Sequence, residues 1–174
     1  MAPLTSPPGS HRQISVRRAV LGDETTVRGL RLEAMADAPE AFGSTYRREL
    51  ARTSADWQGW LSPMATFLAT ESDEPKGLVV GAHDAHAPSV AHLLAMWVQP
   101  SLRGHGAADA LVAAVLSWAA AEGAVTVRLK VVRGNASAER CYARNAFRPT
   151  GRETVRERNG LVEVEMERSV GLKV

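Results

Sequence analysis

The sequence predicts an α/β fold in which helices flank a mixed sheet that has a strand–helix–strand unit at its middle. Three observations carry this. Period-two and helical apolar patterns follow one another in the order β-α-α-β-β-β-α-β-α-β-β. The apolar run "SVAHLLAMWV" (89–98) leads through a glycine-rich turn into an apolar helix. Near the end, "NG" (Asn159-Gly160) separates two alternating stretches, the strongest short hairpin signal there is.

Each element follows from local chemistry. "QISVRRAV" (13–20) alternates with a β-branched bias and reads as the first strand. Asp23 can cap a helix from Glu24, whose apolar stripe is Val27, Leu30, Ala34 and Met35. Pro39 begins a second helical stretch through "EAFGSTYRRELA", and Ser54 opens a turn carrying Trp57, Trp60 and Leu61. "ATFLATE" (65–71) and "GLVVGAHD" (77–84) are strands on either side of a polar "SDEPK" turn. The 89–98 strand ends at Pro100, and a helix runs from Gly104 to about Glu122 with Gly123 as its stop. "VTVRLKVV" (125–132) is a strand, and "NASAERCYARNA" (135–146) a helix capped by Asn135. "RETVRER" and "LVEVEME" form the last hairpin.

The whole chain of 174 residues reads as one domain over 13–170, preceded by a Pro-, Ser- and Gly-rich leader (1–12) expected to be disordered. No apolar run approaches the roughly 20 residues of a membrane span. A formal charge of +2 with both signs interspersed, and no lysine block, argues against nucleic acid as a partner. The single cysteine, Cys141, excludes an internal disulfide and a cysteine-rich metal site, and fits a reducing cytoplasm.

"VQPSLRGHGAADAL" (98–111) is an anion cradle by its chemistry: glycines expose backbone amides at a helix start. A nucleotide P-loop needs Lys-Ser or Lys-Thr, which is missing. A dinucleotide fingerprint needs a third glycine where Asp109 stands. The remaining pattern, [Q/R]-x-x-G-x-[G/A], is met by Arg103, Gly106 and Ala108. Here the sequence resembles the GNAT N-acetyltransferase superfamily, a resemblance that extends to "V-x-P-x-x-R-G-x-G" and covers about residues 13 to 168. It implies acetyl-CoA as cosubstrate, no metal, and a splayed, mostly antiparallel sheet. The CoA pyrophosphate would rest on Arg103, Gly104, His105, Gly106, Ala107 and Ala108.

"NASAERCYARNAF" resembles the superfamily's second signature, N-x-x-A-x-x-x-Y-x-x-x-[G/A]-F, through Asn135, Ala138, Tyr142 and Phe147. Ala146 stands where glycine is usual. The resemblance makes Tyr142 the general acid for the departing CoA thiolate and sets Asn135 beside the pantetheine arm. It also implies that Met96 and Val98 pair with pantetheine amides, and that a strand N–H near Trp97 polarises the thioester carbonyl. Some relatives carry a glutamate base where this chain has His92. This histidine is either a general base or a histidine satisfied beside the sheet.

On the acceptor side, "DAPEAFGSTY" resembles many bacterial small-molecule members. Phe42, Tyr46, Trp57 and Trp60 could wall a pocket, and Glu33, Asp37 and Glu40 could meet a cationic amine. Core packing and a solvated acidic face are the competing roles. The expected activity is acetyl transfer from acetyl-CoA to a primary amine of a small molecule, without an acyl-enzyme. The alternatives are a protein N-terminus or lysine as acceptor, or an acyl-CoA-binding sensor without turnover. The resemblance also admits a homodimer, which nothing in the residues requires.

Overall fold

The structure, a computed structural model, describes residues 13–171, so the expected leader (1–12) lies outside the described residues. Seven strands form one sheet: β1 (Ile14–Arg18), β2 (Ala65–Glu71), β3 (Glu74–His83), β4 (Val90–Val98), β5 (Thr126–Val132), β6 (Arg148–Val155) and β7 (Val162–Ser169). Their spatial order is β1-β2-β3-β4-β5-β7-β6. Only the β4–β5 pairing is parallel. Between them run α1 (Glu24–Asp37), α2 (Tyr46–Leu50), α3 (Ser54–Leu61), α4 (Ala107–Ala121) and α5 (Ala136–Arg144).

Three helices rather than two therefore link β1 to β2. The Ser54 turn is a helix because Thr53 and Asp56 form a reciprocal capping box, each side chain accepting the other's backbone N–H. The second helical stretch is instead a 3₁₀ turn at Pro39–Ala41 followed by the short α2. Asp23 does not cap α1 with its side chain, since Arg17 and the Val20 N–H occupy its carboxylate. β3 starts three residues earlier than the pattern suggests. Ser72 and Asp73 both take positive φ, which closes a tight turn and leaves "EPK" in the strand.

The sheet is covered on both faces. In β3, Leu78 and Val80 face α1 and α3, while Val79 joins the cluster beneath α4. α1 contributes Val27, Leu30 and Met35 to the first cluster, and α4 contributes Leu111, Val112 and Val115 to the second. Burying each such side chain stabilises the fold by about 1.5–3 kcal/mol. Gly81 lets Trp118 pack close against the sheet, because a Cβ there would stand 2.5 Å from the indole.

One irregularity opens the sheet. β4 pairs with β5 only at Val90, Ala91 and His92, whereas β7 follows β5 along its length. From Leu93 onward the β5 side of β4 has no partner strand. In the same stretch Ala95 takes φ 55° and the β3 register slips opposite it. The two middle strands therefore splay into a cleft, and the bulge turns backbone groups of β4 toward it.

Candidate active site

The cleft is a cavity of about 500 Å³ lined by β4 (His92 to Met96), β5 (Leu129 to Val132) and residues of α1, α2, α3 and α5. A second cavity of about 400 Å³ lies at the start of α4, where Gly104, Gly106 and Ala108 face Ser137 and Arg140. A groove joins them. It shares Met96, Asn135 and Ala138 with the cleft and Val98, Arg103 and Ala108 with the glycine turn. One continuous path thus runs from the α4 N-terminus along α5 into the splay.

The glycine turn has the backbone an anion seat needs. Gly104 and Gly106 have φ of +77° and +86°, and a Cβ at either would meet nothing within 4 Å. The left-handed conformation, not packing, therefore favours glycine here. Gly106 is the N-cap of α4, so the positive end of the helix faces the cavity. Asp109, the carboxylate that argued against a dinucleotide, is held by Arg144 at 2.9 Å and by Asn145 Nδ2 at 2.6 Å. Its charge is thereby matched beside the seat. Arg103 turns back along the groove, donating to Val98 O at 2.9 Å and pairing with Asp37.

α5 presents Tyr142 to the cleft and is anchored at both ends. Asn135 caps it, accepting the Ala138 N–H at 3.2 Å. At the far end Phe147 N–H donates to Tyr142 O and Ala146 N–H to Ala143 O, the crossed bonds of a Schellman motif. Ala146 takes the left-handed φ of 61° that this motif gives to glycine. Phe147 then packs edge-on against the Tyr142 ring, with centroids 5.9 Å apart. The A-F pair of the signature is thus what fixes the tyrosine. Burial holds the Tyr142 phenol well above its ordinary pKa, so it stays protonated. Cys141 is also buried, and desolvation raises its thiol, so nothing activates it as a nucleophile.

His92 lines the cleft from β4, and its Nε2 lies 2.7 Å from Asp84 Oδ2. The bond to His92, with backbone N–H bonds from His86 and Ala87, holds the Asp84 carboxyl at about 2. An ionised Asp84 assigns the proton to Nε2 and leaves Nδ1 as the basic nitrogen.

The model of the Acetyltransferase (GNAT) family matches residues 31–147, which span the splay, the glycine turn and α5. The chain belongs to this family. It is an acyltransferase that uses acetyl-CoA. No curated protein matches the sequence significantly. Among solved structures, the GNAT-family acetyltransferase of Streptococcus pneumoniae superposes with a TM-score of 0.76 at 18% identity, over 91% of this chain and 100% of that one. The structure of yncA from Salmonella typhimurium with its cofactor acetyl-CoA gives 0.77 at 14% identity, over 93% and 96%. A GCN5-related N-acetyltransferase from Kribbella flavida gives 0.73 at 22%, over 90% and 97%. At these identities the likeness is one of fold.

The residues singled out from sequence fall into two sets. Tyr142, His92, Met96 and Asn135 line the cleft, and Trp97, Val98, Arg103, Gly104, Gly106 and Ala108 line the groove or the glycine cavity. His105 bonds back to Arg103 O, and Ala107 is buried as the first residue of α4. Phe42 and Trp60 wall the cleft, but Trp57 is core and Tyr46 is exposed and outside it. The three acids do not stand in the cleft. Glu33 accepts from Gln99, Glu40 is exposed, and Asp37 takes Trp97 Nε1 at 2.9 Å together with Arg103. Trp97 foremost, then Arg103, keeps the Asp37 carboxyl below its ordinary value.

What the sequence reading missed is a charged cluster on the cleft floor: Arg31, Glu49 and Arg52. The signal was present. Arg31 sits at i+4 from Val27 within the stripe 27, 30, 34, 35, so the buried face of α1 carries an arginine. Among the described residues no group of three or more His, Cys, Asp or Glu is placed to hold a metal ion.

Proposed function

We propose that the protein transfers the acetyl group of acetyl-CoA to a primary amine of a small molecule, by direct attack in a ternary complex. The observation that carries this reading is the tie between the last hairpin and the 3₁₀ turn at the acceptor end of the cleft. Arg156, on the β6–β7 connection, donates to Glu40 O at 2.6 Å and Ala41 O at 3.1 Å, and Arg158 donates to Phe42 O at 3.1 Å. These bonds strap the hairpin onto the 3₁₀ turn beside the cavity, which suits a metabolite better than an extended protein segment.

Gly104 and Gly106 with the α4 N-terminus fit the pyrophosphate, because both glycines line the cavity there and carry no side chain into its open space. Met96 and Val98 offer backbone groups along the groove, with Asn135 on its opposite wall. Bound acetyl-CoA supplies an activated acyl thioester. A β4 N–H near Trp97, next to the bulge at Ala95, would polarise the thioester carbonyl as negative charge grows on its oxygen. His92, through Nδ1, takes the proton that an ammonium acceptor must lose before it can attack. Tyr142, protonated at neutral pH, gives a proton to the departing sulfur. The reading also sets the reaction in a bacterial cytoplasm, with Cys141 reduced.

The test is thiol release from acetyl-CoA across polyamines, amino acids and amine-bearing antibiotics, with the product identified by mass. Acetylation of at least one small amine supports the proposal. CoA binding without thiol release on any of them would favour the sensor reading, and acetylation confined to peptides would favour a protein acceptor.

A further inference from the structure

We infer that the acceptor carries a carboxylate as well as its amine, and that Arg31 binds that carboxylate; this rests on the small-molecule reading above. Arg31 is only 5% exposed and lines the cleft. Its guanidinium lies over Phe42 at 4.4 Å and near the Trp60 ring at 5.5 Å. Toward Glu49 it offers only Nη2, at 3.6 Å, which is beyond hydrogen-bond length. Nε and Nη1 are buried and meet no acceptor.

Glu49 is only half engaged by Arg31. Arg52 Nε donates to its Oε2 at 2.7 Å, while its Oε1, the oxygen nearest Arg31 Nη2, is buried with no hydrogen-bond partner. Burial works to raise the Glu49 carboxyl, but its hydrogen bonding and the charges of Arg31 and Arg52 together hold it below its ordinary value. One ionised carboxylate therefore faces two guanidiniums, and the cluster keeps a net positive charge. Burial correspondingly lowers the Arg31 pKa.

Arg156 sets the contrast. It is comparably buried at 9% exposure, yet Nε bonds Glu163, Nη1 bonds Glu40 O and Nη2 bonds Ala41 O. Where this fold buries an arginine for structure, it satisfies it. Arg31 lines the same cavity but keeps two buried donors without an acceptor. Buried guanidinium donors left without an acceptor are costly, and an incoming anion reduces that cost.

The rest of the lining agrees. Lys130 and Arg156 join Arg31 and Arg52 as cations, against Glu49 and Glu163. Such a wall repels a polyamine and attracts an amine with an acidic group. The planar fork of arginine suits a carboxylate, and the cavity of about 500 Å³ is of a size for an amino acid beside the reacting end of the donor. The acceptor class is thus an amino acid or a close analogue.

The test uses matched sets of amines: several amino acids, each beside its carboxamide and its decarboxylated amine, compared by thiol release at equal free-base concentration. The acid should have the highest kcat/KM of each set, by roughly tenfold or more, chiefly through KM. Carboxamides or decarboxylated amines turned over as well as the acids would overturn the inference while leaving small-molecule transfer intact. No turnover of any amine would overturn both the acceptor reading and the inference drawn from it. Arg31→Met should raise KM for the acids and erase the preference, with KM for acetyl-CoA unchanged. The wild-type comparison decides the question even if that variant does not fold.

Discussion

Replacing Gly106 by alanine separates the structural from the functional demand on the glycine turn. The backbone there has φ +86° at the first position before α4, and an added Cβ would meet nothing within 4 Å. No clash contributes, so the cost to the fold is that of a left-handed alanine, roughly 1–2 kcal/mol. In a protein of this size each kcal/mol lowers Tm by about 2–4 °C. The functional cost is larger for its size. The methyl would enter open space at the cavity that Gly104 and Gly106 line, where the proposed phosphate would sit. Losing one backbone hydrogen bond to a charged phosphate costs about 1.5–3 kcal/mol, hence about a 10- to 100-fold rise in KM for acetyl-CoA. Steady-state kinetics at saturating amine and the Tm rise on adding CoA measure the two effects apart. A folded Gly106→Ala protein with wild-type KM and a wild-type CoA-induced Tm rise would refute the cradle.

Other outcomes follow from the same structure. Tyr142→Phe keeps the ring against Phe147 and should lower kcat by about 10²-fold or more, with KM for acetyl-CoA little changed. His92→Gln should lower kcat, since a glutamine amide cannot accept the proton; an unchanged kcat removes His92 from the mechanism. Asp84 has a depressed folded pKa, so its contribution to stability is present above about pH 4 and lost as pH falls toward 2. Thermal melts of Asp84→Asn should therefore lie below wild type at pH 6 and converge with it near pH 2. Ala146→Gly should raise stability by about 0.5–1 kcal/mol, read by denaturant unfolding, because φ 61° is strained for alanine and free for glycine.

Strands β2, β4 and β5 and helix α4 were legible in the sequence because each is a run whose periodicity local chemistry bounds, as Gly123 does by closing α4 at φ +84°. The β3 start was not, since Ser72 and Asp73 look like loop yet adopt a turn of only two residues. The last hairpin carries its NG signal, with Gly160 at φ +70°, but β6 begins at Arg148 and ends at Val155. The 152–158 alternation placed it too late, because the pairing slips between Pro149 and Glu153. On the donor side, the glycine turn and the α5 signature are local patterns, and the groove joins them. The acceptor side depends on pairings distant in sequence, such as Arg156 with Glu40 and Trp97 with Asp37. The second of these takes Asp37 out of reach of an amine, and neither partner is near the other in sequence.

Direct transfer from the glycine-turn seat to an amine in the cleft is tested most directly by a single-turnover reaction followed by intact mass. With enzyme in excess over acetyl-CoA and an accepted amine present, the acetyl group should pass to the amine as CoA is released, and the protein mass should stay unchanged throughout. An acetylated protein that forms and then decays into acetylated amine would contradict the account.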